Sequence, residues 1–424
     1  MMKGILILTL IFPGFIMRVT PQAVTLEQCI DSALLWNPMI KEASNKAELS
    51  GASVNLARSA KYLSVYTENK AGYSSEYRSG NNYETASAGL FGEQLLWQKN
   101  KAGFSIEQAR KIEVASKADL EAQIQEISLA VKLAYFSCIE QQWLFNIAGE
   151  NVARAGLFVD YAKERFKSGS GKKSDILKAE SDFSEALYDR NAFLNSLWRS
   201  RNELSMLSGI PVTRLTVLDT TWIEEPRNPG ETISISSVLQ NTGLNQYPEY
   251  RSVMSLVSAQ QAKVNQARSD HYPALFLNGG YQWAYNPVLK NKDAWSATLT
   301  LRWNLFKGRE IHYQVQSETI RKSILVNQAE QLKAEYMKEL TNREISLNEA
   351  AEQIRLTGNL ILTTTANLET ATAEFIAGTG SMLELVDARV AHLQARQKEV
   401  GAITEYCMAA ARLERLTGNT IQNK

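Results

Sequence analysis

Residues equipped for chemistry are few in this chain, and they are scattered. His271, His312 and His392 show no metal-ligand spacing, and the chain has neither a Gly-rich phosphate loop nor a nucleophile motif. No enzyme, cofactor or metal is expected from such a pattern. Cys29, Cys138 and Cys407 are odd in number and form no CxxC, and Leu26-Glu27-Gln28 before Cys29 is not a lipid-attachment context. Cys138 closes the series Leu120, Ile124, Ile127, Val131, Ala134, whose alternating steps of 4 and 3 describe a packed helical seam. Cys407 follows a similar series through Leu383, Val386, Val390, Leu393, Val400 and Thr404. Both thiols read as small buried hydrophobes.

What remains must be done by shape, so the elements themselves carry the argument. The chain has 424 residues but only 9 prolines, which favours long uninterrupted elements. With 46 Lys and Arg against 45 Asp and Glu there is no basic field, and no nucleic-acid partner is expected. Met1-Met2-Lys3 before the apolar run Gly4 to Phe12 reads as a secretory leader, taken here as residues 1–23. No later run reaches the ~20 apolar residues of a membrane helix. If the mature chain enters a membrane, it does so with strands.

The chain repeats itself. Val54-Asn55-Leu56-Ala57-Arg58-Ser59 with Tyr62 returns as Val264-Asn265-Gln266-Ala267-Arg268-Ser269 with Tyr272, and Pro38 returns as Pro248 (248 − 38 = 210). Phe166 to Gly171 returns as Phe375 to Gly380, and Leu204-x-x-Leu207-Ser208-Gly209 as Leu413-x-x-Leu416-Thr417-Gly418, each displaced by 209. One long repeat means a duplicated unit, not a solenoid. The units run 24–209 and 235–418, joined by a proline-bearing linker 210–234 that is expected to pack outside the helices, with a tail at 419–424.

Each unit is expected to open with a helix, Leu26 to Ala60 or Ile235 to Asp270, followed by a strand hairpin, 62–97 or 272–307. In the second hairpin Trp295, Ala297, Leu299, Leu301, Trp303 and Leu305 alternate with polar residues, after Leu275, Leu277, Tyr281, Trp283 and Tyr285, with Asn286 to Asp293 as the turn. Strands of about 10 residues with aromatic ends suit a membrane barrel better than a soluble sheet. The first hairpin, Tyr62 to Tyr77 and Tyr83 to Leu96, alternates less cleanly because Glu68, Lys70 and Glu93 intrude. Tyr62, Tyr66, Tyr73, Tyr77 and Tyr83 fit an interfacial girdle, as do Tyr281, Trp283, Trp295 and Trp303; ordinary cross-strand pairing is the competing explanation.

Long helices then run from Lys101 to Lys167 and Glu310 to Ala377, each on the order of 100 Å. Phe-x-x-Gly-x-Gly stops them, and helices return over 174–207 and 381–416. Four strands cannot close a barrel, and unpaired edges are intolerable in lipid. Three copies would supply 12 strands and 12 helical strands, so a homotrimer is the economical solution.

Taken together, these residues resemble the TolC family of outer-membrane efflux proteins. The likeness rests on Thr25-Leu26-Glu27-Gln28-Cys29-Ile30 through Asn37-Pro38, on the Ala-Arg-Ser-x-x-Tyr before each hairpin, on Trp303-Asn304-Leu305-Phe306-Lys307-Gly308, and on Phe-x-x-Gly before each returning helix. It implies an α+β membrane protein whose duplicated unit, long antiparallel coiled-coil helices plus a β-hairpin, trimerises into a 12-stranded outer-membrane β-barrel continuous with a periplasmic α-helical barrel. The location implied is the outer membrane of a Gram-negative bacterium. Implied partners are a periplasmic adaptor, an inner-membrane transporter and outer-membrane lipid, with the chain as exit duct of an efflux or secretion system. Type I protein secretion and metal-ion efflux are alternative duties for the same duct; a periplasmic adaptor or structural coiled coil fits the two hairpins poorly.

The resemblance also implies sites. Adaptor contact would fall on the tips Gly169, Ser170, Gly378 and Thr379, although the family often carries Leu after the first tip glycine. A periplasmic gate of acidic side chains would fall on Glu384 and Asp387, with Asp175 matching in the first unit and Lys178 breaking the uniformity. Ser381-x-x-Glu384 is equally a capping box, with Asp387 favoured by the helix dipole, and both explanations stand at this point.

Overall fold

The computed structural model describes residues 23–75, 82–215, 217–220, 243–285 and 292–418. Tyr77, the leader to residue 22, most of the linker and the 419–424 tail lie outside the described residues. The first unit contains α1 (Leu26–Trp36), α2 (Pro38–Ser59), β1 (Ser64–Ser75), β2 (Asn82–Trp97), α3 (Lys101–Lys167) and α4 (Lys173–Ser208). The second contains α5 (Pro248–Arg268), β3 (Ala274–Tyr285), β4 (Lys292–Arg302), α6 (Glu310–Ala377) and α7 (Met382–Thr417). No helix among the described residues is long and apolar enough to cross a membrane.

The single opening helix expected over Leu26 to Ala60 is two. Thr25 Oγ1 accepts from Gln28 N at 3.2 Å to start α1, and Asn37 Oδ1 accepts from Met39 N at 2.9 Å to start α2, with Pro38 at its first position. A proline has no N–H to continue the preceding helix and forces Asn37 into extended backbone, so the chain turns there. Pro248 opens α5 in the same way.

Neither long helix contains a proline, and their 67 and 68 residues give lengths of roughly 100 Å. Both end on left-handed glycine, Gly169 at φ 77° and Gly378 at φ 88°, and the returning helices end on Gly209 and Gly418. An L side chain is strained at such φ, which accounts for the residue type at each stop. α3 packs against α2, α4, α5 and α7, and α6 packs between α5 and α7. The seam through Ile127, Val131, Ala134 and Cys138 of α3 is thus buried.

One apolar core surrounds the middle of α3, where Val131, Tyr135, Cys138 and Ile139 meet Cys29, Leu204, Leu215, Leu340 and Cys407. A second lies near the glycine tips, with Phe158, Ala162, Ala179, Phe375, Leu385 and Val386. All three cysteines are free and buried; burial lifts the Cys29 and Cys407 thiols to about 12, so neither is a thiolate nucleophile. The first residues of the linker fold onto this middle region. Leu218 bridges Val24, and Tyr135 Oη donates to the carbonyls of Val24 and Asp219, each at 2.9 Å.

The strands form one antiparallel sheet in the order β1-β2-β3-β4, so the pairing of β2 with β3 joins the two units. Paired residues share a face, and the register sorts the whole sheet. Val65 lies opposite Gly92, Leu90 opposite Tyr281, Tyr281 opposite Trp295, and Leu277 opposite Leu299: one face is mainly apolar, with Asn69, Glu84, Gln94 and Asp293 among its polar members. Ser64 opposes Glu93, Lys70 opposes Ser87, Asn278 opposes both Glu93 and Thr298: the other is mainly polar. Glu68, Lys70 and Glu93 therefore do not interrupt the apolar face. They stand together on its reverse, with Lys70 Nζ 2.9 Å from Glu68.

Three expectations for the hairpins change. Tyr66 and Tyr83 belong to the polar face, Tyr66 stacked on Phe91 with ring centroids 5.7 Å apart and Tyr83 opposite Ser74, and so neither is a girdle residue. β4 ends at Arg302, short of the alternation that continues to Leu305. Its last partner is Ala274, and Pro273 beyond has no N–H to extend the ladder. β4 also begins earlier than expected, with Lys292 and Asp293 already paired to Ala284 and Trp283.

Candidate functional site

At the far end from the sheet, two glycine turns and the first turns of α4 and α7 form the narrow end of each helical hairpin. Ser170 Oγ donates to Arg165 O at 3.2 Å, and Thr379 Oγ1 donates to Glu374 O at 3.2 Å. Each of these carbonyls already accepts two backbone N–H groups of its turn, Ser170 and Gly171 on Arg165 O, Thr379 and Gly380 on Glu374 O, so the hydroxyl adds a further donor to a closed turn. A Cβ added at Gly169 or Gly378 would meet nothing within 4 Å, so both turns are open on their outer side.

Arg165 ties the two turns together. Its guanidinium donates to Phe375 O at 3.1 Å and to Ser170 O at 3.4 Å, and lies 4.6 Å from the Phe375 ring centre. Tips separated by some 209 residues of sequence are thereby held as one surface.

Glu384 and Asp387 are exposed on the first turns of α7. Glu384 Oε2 accepts from Ser381 N at 2.8 Å while Ser381 Oγ accepts from Glu384 N at 3.2 Å, a complete capping box. That backbone hydrogen bond holds the Glu384 carboxyl below its ordinary range. Asp175 Oδ2 accepts from Lys172 N at 3.2 Å and performs the same service at α4. Among the described residues Asp387 makes no capping bond.

Behind this acidic pair sits a polar cluster that sequence reasoning did not find. Arg389, 4 % exposed, donates to Asp182 of α4 and to Asn151 of α3, which are 5 % and 7 % exposed. Burial raises the Asp182 carboxyl above its ordinary range, with Arg389 opposing the shift. A signal existed: Arg389 follows Met382, Leu385 and Val386 in core spacing, and Asp182 lies between Ala179 and Ala186 on α4. Charge at a core position was there to be seen, but its partner was visible only in three dimensions.

At the opposite end lie the aromatic residues of the hairpins. Tyr281 Oη donates to Asp293 at 3.0 Å and Tyr73 Oη to Glu84 at 3.2 Å, at the hairpin-turn side. Trp283 and Trp295 stand at the same level. At the helix side Trp303 Nε1 donates to His271 O at 3.3 Å, one residue beyond β4, and Tyr62 precedes β1. Trp295 and Trp303 are eight residues apart, roughly 26 Å of strand.

Comparison with known proteins matches this chain to the family described as Outer membrane efflux protein over residues 29–209 and 242–419. Outer membrane protein TolC of Vibrio cholerae is 24% identical over 349 residues, which is 78% of this chain and 76% of that protein. Among solved structures, CusC, described as forming a transmembrane channel, superposes with a TM-score of 0.83 at 18% identity, over 92% of this chain and 91% of its own. The outer membrane protein VceC of Vibrio cholerae gives 0.80 at 15% identity, over 94% and 97%.

Proposed function

This chain belongs to the outer membrane efflux protein family, and from that premise we propose how its parts divide the work of an outer-membrane exit channel. The chain is no enzyme; it is the outer-membrane duct of a tripartite efflux system, serving an inner-membrane pump through a periplasmic adaptor. Units 24–209 and 235–418, joined through 210–234, each give one hairpin to the barrel and two long helices to the tunnel.

The observation that carries the reading is the sorted sheet. One face is mainly apolar, its reverse mainly polar, and β1 and β4 each lack an outer partner among the described residues. In lipid such edges must be paired, and a homotrimer pairs β1 of one copy with β4 of the next into 12 strands. Tyr62, Tyr77, Tyr281, Trp283, Trp295 and Trp303 are assigned to the membrane margins. Arg165-linked turns, with Gly169, Ser170, Gly378 and Thr379, are assigned to adaptor docking.

Glu384, Asp387 and Asp175 are assigned to the periplasmic constriction. Three copies of Glu384 and Asp387 would set six carboxylates around the axis, which favours cations and repels itself. Glu384 and Asp175 are occupied with capping, so Asp387 carries most of the selectivity. The test is electrical: purified protein should run as a detergent-resistant trimer and give small, cation-preferring conductance in a planar bilayer. A monomer without conductance would overturn the reading.

A further inference from the structure

A cavity of about 620 Å³ opens where α2 ends and α3 begins, at the junction of helices and sheet. Arg58, Lys61, Arg110 and Lys111 line it against a single carboxylate, Glu107. Neighbouring cations are neutralised, Lys101 by Asp270 at 2.5 Å and Lys117 by Glu113 at 2.6 Å. The four in the cavity have no ion pair among the described residues; Arg58 reaches only Asn55 Oδ1, at 3.3 Å.

Lys61 and Tyr62 at the rim of the cavity lead directly to Leu63 beside Gly92 on the apolar face of the sheet, which the channel reading sets toward lipid, and with it the cavity's mouth.

Just above, the chain leaves the cavity at Lys61 and Tyr62 and enters the apolar face of the sheet. Leu63 lies over Gly92, 3.3 Å from where a Cβ would stand, and Gly92 pairs with Val65; both Leu63 and Val65 are exposed. Cationic cavity and exposed apolar wall thus adjoin, in the order in which a lipid presents phosphate and acyl chain.

We propose that this cavity binds the phosphate-bearing headgroup of an anionic phospholipid, with the acyl chains against Leu63 and Val65. The assignment rests on the channel reading, which sets the sheet in the membrane. It makes the junction of tunnel and barrel a lipid-recognising collar.

The test uses the full chain as the detergent-purified oligomer, offered phosphatidylglycerol, phosphatidylcholine or inorganic phosphate, with retained lipid counted by native mass spectrometry. One variant carries Arg58→Gln, Lys61→Gln, Arg110→Gln and Lys111→Gln. A control removes equal charge at the distant tips, by Lys167→Gln, Lys172→Gln, Lys173→Gln and Lys178→Gln. Wild type and control should retain phosphatidylglycerol over phosphatidylcholine by about tenfold or more, the cavity variant should show no preference, and phosphate should not displace the lipid. Unchanged preference in the cavity variant, equal loss in the control, or full displacement by phosphate would each overturn the proposal. Bilayer conductance of the same preparations reports on the channel separately: conduction with an undiminished lipid preference in the cavity variant sinks the lipid site alone.

Discussion

Arg389 of the second unit is buried against Asp182 of the first, 207 residues away, and binds the tip ends of α7 and α4 to each other. Two charges removed from water stabilise a fold little in themselves, but leaving either one unpaired is costly. Asp182→Ala should therefore destabilise the tip region by about 3–5 kcal/mol, whereas the double change Asp182→Leu with Arg389→Met should be near neutral. Denaturant melts of both variants measure this; equal losses would mean that the pair is not coupled.

The sorted sheet predicts opposite outcomes for adjacent residues of one strand. Leu299→Arg places a charge in lipid and should cost about 2–4 kcal/mol near the membrane midplane, with poor insertion. Thr298→Arg, on the polar face, should insert and lower the preference for cations. Heat-modifiability on gels and bilayer selectivity distinguish the two.

Capping and gating at the start of α7 separate by charge. Ser381→Ala should loosen the first turn by about 1 kcal/mol without altering ion selectivity. Asp387→Asn should raise conductance and weaken cation preference while leaving the helix start intact. Unaltered currents in Asp387→Asn would reduce the acidic pair to a helix-capping role.

The cap itself should depend on pH. Glu384 has its folded carboxyl held below the ordinary value of 4.5, so its contribution is present above 4.5 and is lost as pH falls through the lower folded value. Hydrogen exchange at Met382 to Leu385 should accelerate on acidification through that window, and Glu384→Gln should remove the dependence.

Arg165 is predicted to act on both tips at once. Arg165→Met should weaken cross-linking of an adaptor to the turn at Gly169 and to the turn at Gly378 alike, and Arg165→Lys should restore it only partly because a single ammonium cannot reproduce the fork. Loss confined to one turn would show that the tips are independent.

Much of this was legible in the chain. Long proline-free runs ended by Phe-x-x-Gly gave α3 and α6 their limits, because helix propagation and its termination are local properties. Glu68, Lys70 and Glu93 misled, since strand charges can be sorted to a face only once the partner register is known. The break at Asn37-Pro38 is readable from an Asn cap before a proline, but the Ala, Gln, Lys and Ser-rich body that follows, without further Gly-Pro breaks, reads as one helix. Arg165, Arg389 and Asp182 could be named but not joined, for their partners come from the other unit.

The unpartnered edges of β1 and β4 have a consequence for how this protein comes into being. A newly exported single chain carries two open backbone ladders and an exposed apolar wall that includes Leu299 and Leu301. Any other extended polypeptide can add to such edges, so the lone subunit is an aggregation hazard in the aqueous compartment it must cross. Association with sister chains and entry into lipid are then one event, and its rate rises steeply with the concentration of newly made subunits. Under slow synthesis, proteolysis competes with assembly, and how much finished duct a cell holds is decided at that race.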